Sequence, residues 1–298
     1  MAGTLLCSGL ELPIDFGRMM NLRGQTAILT GASGGLGNFI APAMARAGMN
    51  LVLVAFPGEG LHEVCSAVSK EGVKAISLNL DLRDAEQRRR VVSTTLEEFG
   101  RVDVLVNNAG LEASAVYHEL SEGQINDILT VNLEAPMMLT RAVIPEMLRQ
   151  GHGHIVNMSS LAGKFGPGYQ EAYTATKAAL TAFTFSLRGT YRRTGVSASV
   201  VCPGFVEAGI YERMKKQIGR PAPGLLGAGV CSPGRVARAV IRAIERDLPE
   251  IIVSRLPVRP LLALYPLSPS LGAWITDKIL GAHDFFRTVA EAQKERPK

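Results

Sequence analysis

The chain of 298 residues is 47% hydrophobic and 20% charged, with a formal net charge of +5. This is the composition of a water-facing globular protein with room for a sizeable core. There is no dense Lys/Arg block to suggest nucleic-acid binding, and Arg88-Arg89-Arg90, the one basic run, reads as a solvated helix face. Cys7, Cys65, Cys202 and Cys231 are scattered without a Cys-x-x-Cys pair, so a disulfide framework is excluded and reduced thiols in a cytoplasmic setting are expected. His152 and His154 sit in a Gly-His-Gly-His turn with no Cys or carboxylate to complete a metal site, and they read as loop histidines.

Residues 1–21 form an N-terminal arm. Its short apolar patch carries Glu11 and Asp15 and lacks a preceding basic segment, which makes it a poor secretory signal; Met19 or Met20 is an alternative start. From residue 26 the pattern sharpens. Thr26 to Thr30 reads as a buried strand running into a glycine turn, Gly31 to Gly37, followed by a helix over Leu36–Ala47 and a second apolar strand, Leu51–Val54. Strand, glycine turn, helix and strand make a unit whose backbone N–H groups can approach a pyrophosphate at the positive end of a helix. Read as structure alone, the glycines are a tight turn.

The alternation continues with strands at Ala75–Leu80, Val102–Val106, His154–Met158, Val196–Val201 and Ile251–Val253. Helices are expected at 84–99, as a pair over about 121–149, from Tyr173 to about Thr194, and from about Pro233 to Arg246. Alternating strands and helices imply an α/β fold: a single-domain, doubly wound parallel sheet of Rossmann type with helices on both faces. The domain is expected to span 22–255, with an apolar extension over 256–298.

Tyr173 and Lys177 are four apart and share a helix face. A phenol titrates near pH ~10, and an ammonium one turn away favours the phenolate and lowers that value. Ser160, after the strand ending at Met158, points a hydroxyl at the same place. A hydroxyl, a tunable phenol and a lysine suit hydride chemistry at a carbonyl, although an isolated Tyr-x-x-x-Lys is more often an ordinary amphipathic face.

Taken with its other motifs, the chain resembles the short-chain dehydrogenase/reductase family over roughly residues 24–255. The motifs are TGASGGLG at 30–37, Asp81, NNAG at 107–110, Asn132 in TVNL, Ser159-Ser160, YTATK at 173–177 and Pro203-Gly204. The resemblance implies that Tyr173 is the acid/base, Ser160 polarises the substrate oxygen, Lys177 tunes the tyrosine and holds the ribose, and Asn132 holds a water in a proton relay. It implies cofactor contacts from Gly31, Ser33, Gly35, Leu36 and Gly37 in the turn, and from Asp81 and Leu82 at the adenine. Further contacts are implied from Asn108, Ala109 and Gly110, from Tyr173 and Lys177, and from Pro203, Gly204 and Val206. Asn108 and Asn132 also read as local caps of turns and helix breaks. Ser159 is expected to face away from the site. The activity implied is hydride transfer between NAD(H) or NADP(H) and a secondary alcohol or ketone, with no metal.

Three features depart from that pattern. Ala55 stands where an acid would bind the ribose 2′-hydroxyl, and neither Phe56-Pro57-Gly58-Glu59-Gly60 nor Gly34 supplies the base of an NADP site, so the cofactor is left undecided. Ala208 stands where a threonine would hold the carboxamide, and residues 205–230 with Met214 are expected to form a mobile lid. Past residue 255 the chain is apolar, and Pro257, Pro260, Pro266 and Pro269 break any helix short of the ~20 residues that span a bilayer. Packing on its own domain, a cover for an apolar, lipid-like or steroid-like substrate, peripheral membrane contact through 256–282 near Trp274 and Lys278, and extra dimer surface remain open. A homo-oligomer is expected through the helices at 121–149 and 172–193. A non-catalytic nucleotide-binding regulator and a membrane-surface interaction protein are the rival readings.

Overall fold

The computed structural model describes residues 20–58 and 60–294; the expectations for Cys7, Glu11, Asp15, Met19, Glu59 and most of the N-terminal arm lie outside them. Seven strands alternate with helices: β1 (Thr26–Thr30), α1 (Gly37–Arg46), β2 (Asn50–Ala55), α2 (Leu61–Ser69), β3 (Ala75–Asn79), α3 (Ala85–Phe99) and β4 (Val104–Asn107). Next come α4 (Glu122–Leu129), α5 (Ala135–Gln150), β5 (Gly153–Met158), α6 (Ala162–Phe165), α7 (Glu171–Thr190) and β6 (Val196–Pro203). The chain continues through α8 (Gly209–Ile218), α9 (Gly224–Ala228), α10 (Pro233–Glu245), β7 (Glu250–Val253), α11 (Arg259–Leu267), α12 (Pro269–Trp274) and α13 (Ala282–Lys294).

All seven strands pair in parallel in the order β3-β2-β1-β4-β5-β6-β7. The chain reverses direction across the sheet between β1 and β4, which opens a crevice at the carboxyl ends of those strands. Both sheet faces are covered, so the strands are apolar on both sides. Leu29, Leu51, Leu53 and Val104 pack with α1, α2 and α10; Ile28, Val52, Val54 and Leu105 pack with α3 and α5. Local signals set the helix ends. Asp84 caps α3 by accepting from Glu86 N–H and Gln87 N–H, Gly100 ends it at φ 69°, and Ser121 with Gln124 forms a capping box on α4.

Several expectations change. The triple-arginine run is not wholly solvated: Arg88 is buried and donates to Leu82 O at 2.7 Å and to Glu134 at 2.6 Å, bonds that offset its desolvation. His154 lies inside β5, buried, with Nε2 2.8 Å from Ser199 Oγ. The helices α2, α8 and α13 were not read from the sequence. Within residues 205–230, expected to form a lid, α8 packs Tyr211 and Met214 against Phe285, Phe286 and Val289 of α13. Among the prolines, Pro260 and Pro269 open α11 and α12 rather than breaking them, a position where the missing N–H costs nothing. No helix among the described residues is long and apolar enough to cross a membrane.

Candidate active site

At the end of β1 the chain turns so tightly that side chains would not fit at Gly31, Gly35 or Gly37. A Cβ on Gly37 would sit 2.1 Å from Gly31 O, and Gly31, at φ +64°, would bring its Cβ to 2.8 Å from Ala109 Cα. Asn108 ties this turn to β4 by donating Nδ2–H to Thr30 O and Gly31 O, while Thr30 Oγ1 accepts from Asn108 N–H and Ala109 N–H. Gly31, Gly35 and Leu36 face a cavity of about 1080 Å³, as do Asn108, Ala109 and Gly110. Gly37 and Ser33 are not on its wall; Gly37 acts through the packing of α1 on the turn.

At the far end of β2 the structure adds what the local sequence lacked. Arg83, from the loop after β3, lies over the Phe56 ring at 5.4 Å and donates to Asp81 at 2.8 Å and to Asp127 of α4 at 2.8 Å. A base therefore reaches this corner from a remote segment, already paired with two carboxylates. Asp81 and Leu82 line the same part of the cavity. Arg83 holds the Asp81 carboxyl below its ordinary range.

The reacting end is built on β5 and α7. Ser159 turns into the core, donating to Lys177 O at 2.7 Å, while Ser160 faces the cavity and hydrogen-bonds Tyr173. Lys177 is buried; its Nζ donates to Met158 O at 2.9 Å and lies 5.6 Å from the Tyr173 ring centre. Asn132 falls in a π-helical turn, Thr130–Glu134, between α4 and α5. Its amide clasps the Leu111 backbone, accepting from N–H at 2.7 Å and donating to O at 2.8 Å, and also donates to Thr176 Oγ1. Asn132 is buried and off the cavity wall, and Gly110 leaves room between its Oδ1 and Lys177 Nζ.

The expected fall in the Tyr173 pKa is corrected. Desolvation outweighs the hydrogen bond from Ser160, and with the Glu112 carboxylate nearby the phenol is pushed up to about 12. Burial likewise lowers Lys177 to about 8. At neutral pH the phenol is a neutral proton donor beside a lysine that retains its proton.

Pro203, Gly204, Val206 and Ala208 continue the wall beyond β6. The same cavity is lined by Leu256, Leu261, Leu262, Tyr265 and Leu280 from the residues past 255, with Phe165 of α6 and Phe286 of α13. One cavity thus runs from the glycine turn, past Ser160 and Tyr173, to an apolar wall made by the C-terminal extension.

The sequence profile of the short chain dehydrogenase family matches residues 25–219. The chain belongs to the short-chain dehydrogenase/reductase family. It is 39% identical over 257 residues to ketoacyl reductase HetN of Nostoc sp. (strain PCC 7120), covering 85% of this chain and 88% of HetN. It is 30% identical over 274 residues to dehydrogenase/reductase SDR family protein 7-like of Drosophila melanogaster, covering 86% of this chain and 81% of the relative. A short chain dehydrogenase/reductase from Burkholderia phymatum solved with NAD matches at a TM-score of 0.75 and 28% identity, covering 85% of this chain and 96% of that one. A metagenomic short-chain oxidoreductase solved with NADP matches at 0.67 and 31%, covering 78% and 98%.

This short-chain dehydrogenase/reductase is an oxidoreductase that uses NAD(H) or NADP(H). Gly31, Gly34 and Gly35 present bare backbone on the cavity wall, which suits a pyrophosphate. When bound, the cofactor supplies or accepts the hydride. Beside that cradle the protein sets two hydroxyls, those of Ser160 and Tyr173, on the wall of one cavity. Sequence reading missed Arg83, Phe165, Gln170 and the extension's side chains on this wall. For Gln170 a signal existed, since it lies one helical turn before Tyr173.

Proposed function

We propose that this enzyme interconverts a ketone and a secondary alcohol on an apolar substrate. In reduction, Tyr173 gives its proton to the developing alkoxide while Ser160 hydrogen-bonds the same oxygen; Lys177 holds the cofactor ribose, and Asn132 fixes the backbone at Leu111 beside it. Glycines 31 and 35 with Leu36 would carry the pyrophosphate, Asp81 and Leu82 the adenine side, and Asn108 to Gly110 with Pro203, Gly204 and Val206 the nicotinamide side. The observation that carries the reading is that Ser160 and Tyr173 meet on the wall of a cavity that Leu261, Leu262, Tyr265 and Leu280 also line. A phenol pushed up to about 12 carries its proton at neutral pH, the form that donates in the reductive direction. The similarity to a ketoacyl reductase supports a carbonyl substrate.

The catalytic unit spans 22–255, and the extension from 256 completes its substrate cavity. Leu267, 80% exposed, and Trp274, 53% exposed, with Leu271, Ile279 and the neighbouring Lys278, support peripheral contact with a lipid surface beside the cavity wall. Exposed Met137, Met138 and Phe185 on α5 and α7 support pairing of two copies there.

The test is fluorescence titration with NADH and NADPH of wild type and Tyr173→Phe, followed by turnover on ketones graded by chain length. Binding by both proteins, with turnover at least ~10³-fold lower in the variant, is expected. Nucleotide binding without turnover of any carbonyl by wild type would sink the ketone reading and favour the regulator.

A further inference from the structure

Gln170 sits at the amino end of α7, three residues ahead of Tyr173, and is only 3% exposed. Its side-chain amide is gripped from behind. Nε2 donates one hydrogen to Glu112 Oε1 at 2.7 Å and the other to Ser114 Oγ at 2.6 Å. Ser114 Oγ in turn donates to Glu112 Oε1, and the Ser114 N–H donates to Gln293 Oε1 of α13 at 2.9 Å. Burial pushes the Glu112 carboxyl up, but its Oε1 accepts from both neighbours, and the serine hydroxyl has given its hydrogen to that oxygen, so both groups take N–H from Gln170. The orientation of the amide is thereby determined.

Glu112 and Ser114 stand behind the cavity wall, whereas Gln170 is part of it. With both amide hydrogens spent on the network, the carbonyl oxygen is the polar atom that Gln170 presents on the cavity side. Among the described residues no donor is hydrogen-bonded to it. Gln170 therefore offers a free acceptor on the wall that also carries Ser160, Tyr173 and Arg213, with its amide held from behind by Glu112 and Ser114.

We propose that Gln170 determines specificity by accepting a hydrogen bond from an O–H or N–H group that the substrate carries close to its reacting carbon. The inference rests on the ketone/alcohol reading and narrows its substrate class from apolar ketones to apolar ketones bearing a nearby donor. Gln170 caps the helix three residues before Tyr173 and lines the same cavity, so the donor is sought one or two carbons from the carbonyl. A plain alkyl ketone, or one with an ether in that place, displaces water from this oxygen without offering it a donor and is handled less well.

The experiment measures kcat/KM on a matched set: an apolar ketone unsubstituted, with a hydroxyl one or two carbons away, with an amide N–H there, and with a methoxy group there. Wild type is expected to favour the hydroxyl or the amide compound over the methoxy compound by about tenfold or more, and the two donor arms tell an O–H from an N–H ligand. Gln170→Met, close in size and without amide atoms, should bring that ratio to within about twofold. Glu112→Gln offers Gln170 a donor in place of an obligate acceptor, lets the amide turn over, and should shift preference toward the methoxy compound.

A wild-type ratio near one overturns the inference, as does a ratio that survives in folded Gln170→Met. Should Gln170→Met fail to fold, the wild-type ratio together with Glu112→Gln decides, and an unchanged preference in Glu112→Gln is then the negative result. Absence of wild-type turnover on every ketone, the unsubstituted one included, overturns the ketone reading and this inference with it. Turnover of the unsubstituted ketone without discrimination overturns the inference alone.

Discussion

The two ends of the cavity are made by different means. The cofactor end is backbone: Gly31, Gly35 and the Asn108–Gly110 segment lie at strand ends, where the parallel register of β1 with β4 holds them. The substrate end is side chains, contributed by α6, α8, the residues past 255 and α13, and held by contacts such as the stacked Phe205 and Tyr211 rings at 4.6 Å. A backbone cradle accepts few substitutions and keeps one ligand class. A wall of packed side chains can change residue by residue, so substrate choice resides there.

The sharpest way to break the contrast is at the cradle. Gly37→Ala places a methyl 2.1 Å from Gly31 O and 2.7 Å from Ala32 O, both backbone atoms that cannot move aside cheaply. We expect loss of nucleotide binding by titration and destabilisation of about 3 kcal/mol or more in thermal or denaturant unfolding. Full binding at wild-type stability would show that the turn is looser than its contacts imply.

At the other end, Leu262→Asp puts a charge on the apolar wall. KM for long-chain ketones should rise about tenfold, and clearly more than KM for short ones, because only the long substrates reach that wall. Equal effects on both would remove the extension from the substrate path.

The chemistry between the two ends has its own pH signature. Lys177 is lowered to about 8, so its ammonium is present below that pH and lost above it. Reductive kcat/KM should fall severalfold as pH rises through 8, and Lys177→Met should lack the break while running slower throughout. A flat profile in wild type would mean that Lys177 acts without its charge.

The smallest effect expected lies away from the cavity. His154 is held near 4 by burial, below its ordinary 6.5. Between those values the unfolded chain binds more protons than the folded one, so stability falls as pH drops from 6.5 toward 4. Denaturant midpoints across that window should decline in wild type and less steeply in His154→Gln, which can keep a hydrogen bond to Ser199.

The sequence by itself determined the parallel sheet and the positions of Ser160, Tyr173 and Lys177. Those features are local. Strand and helix periodicities repeat within a few residues, a glycine turn shows its backbone demand directly, and a spacing of four places two side chains on one helix face. Tertiary structure alone decided the rest. Arg83 reaches Phe56 across a loop, Arg88 is buried because Leu82 O and Glu134 converge on it, and Gln170 is oriented by Glu112 and Ser114 from a different strand end. The fall expected for Tyr173 became a rise because desolvation depends on what surrounds the ring, which spacing does not report. The apolar residues past 255 could have faced lipid, a second copy or their own domain. Their alternation with proline was legible, but which surface they cover is set by long-range packing, and it is packing that brings Leu261, Leu262 and Tyr265 to the cavity that Tyr173 lines.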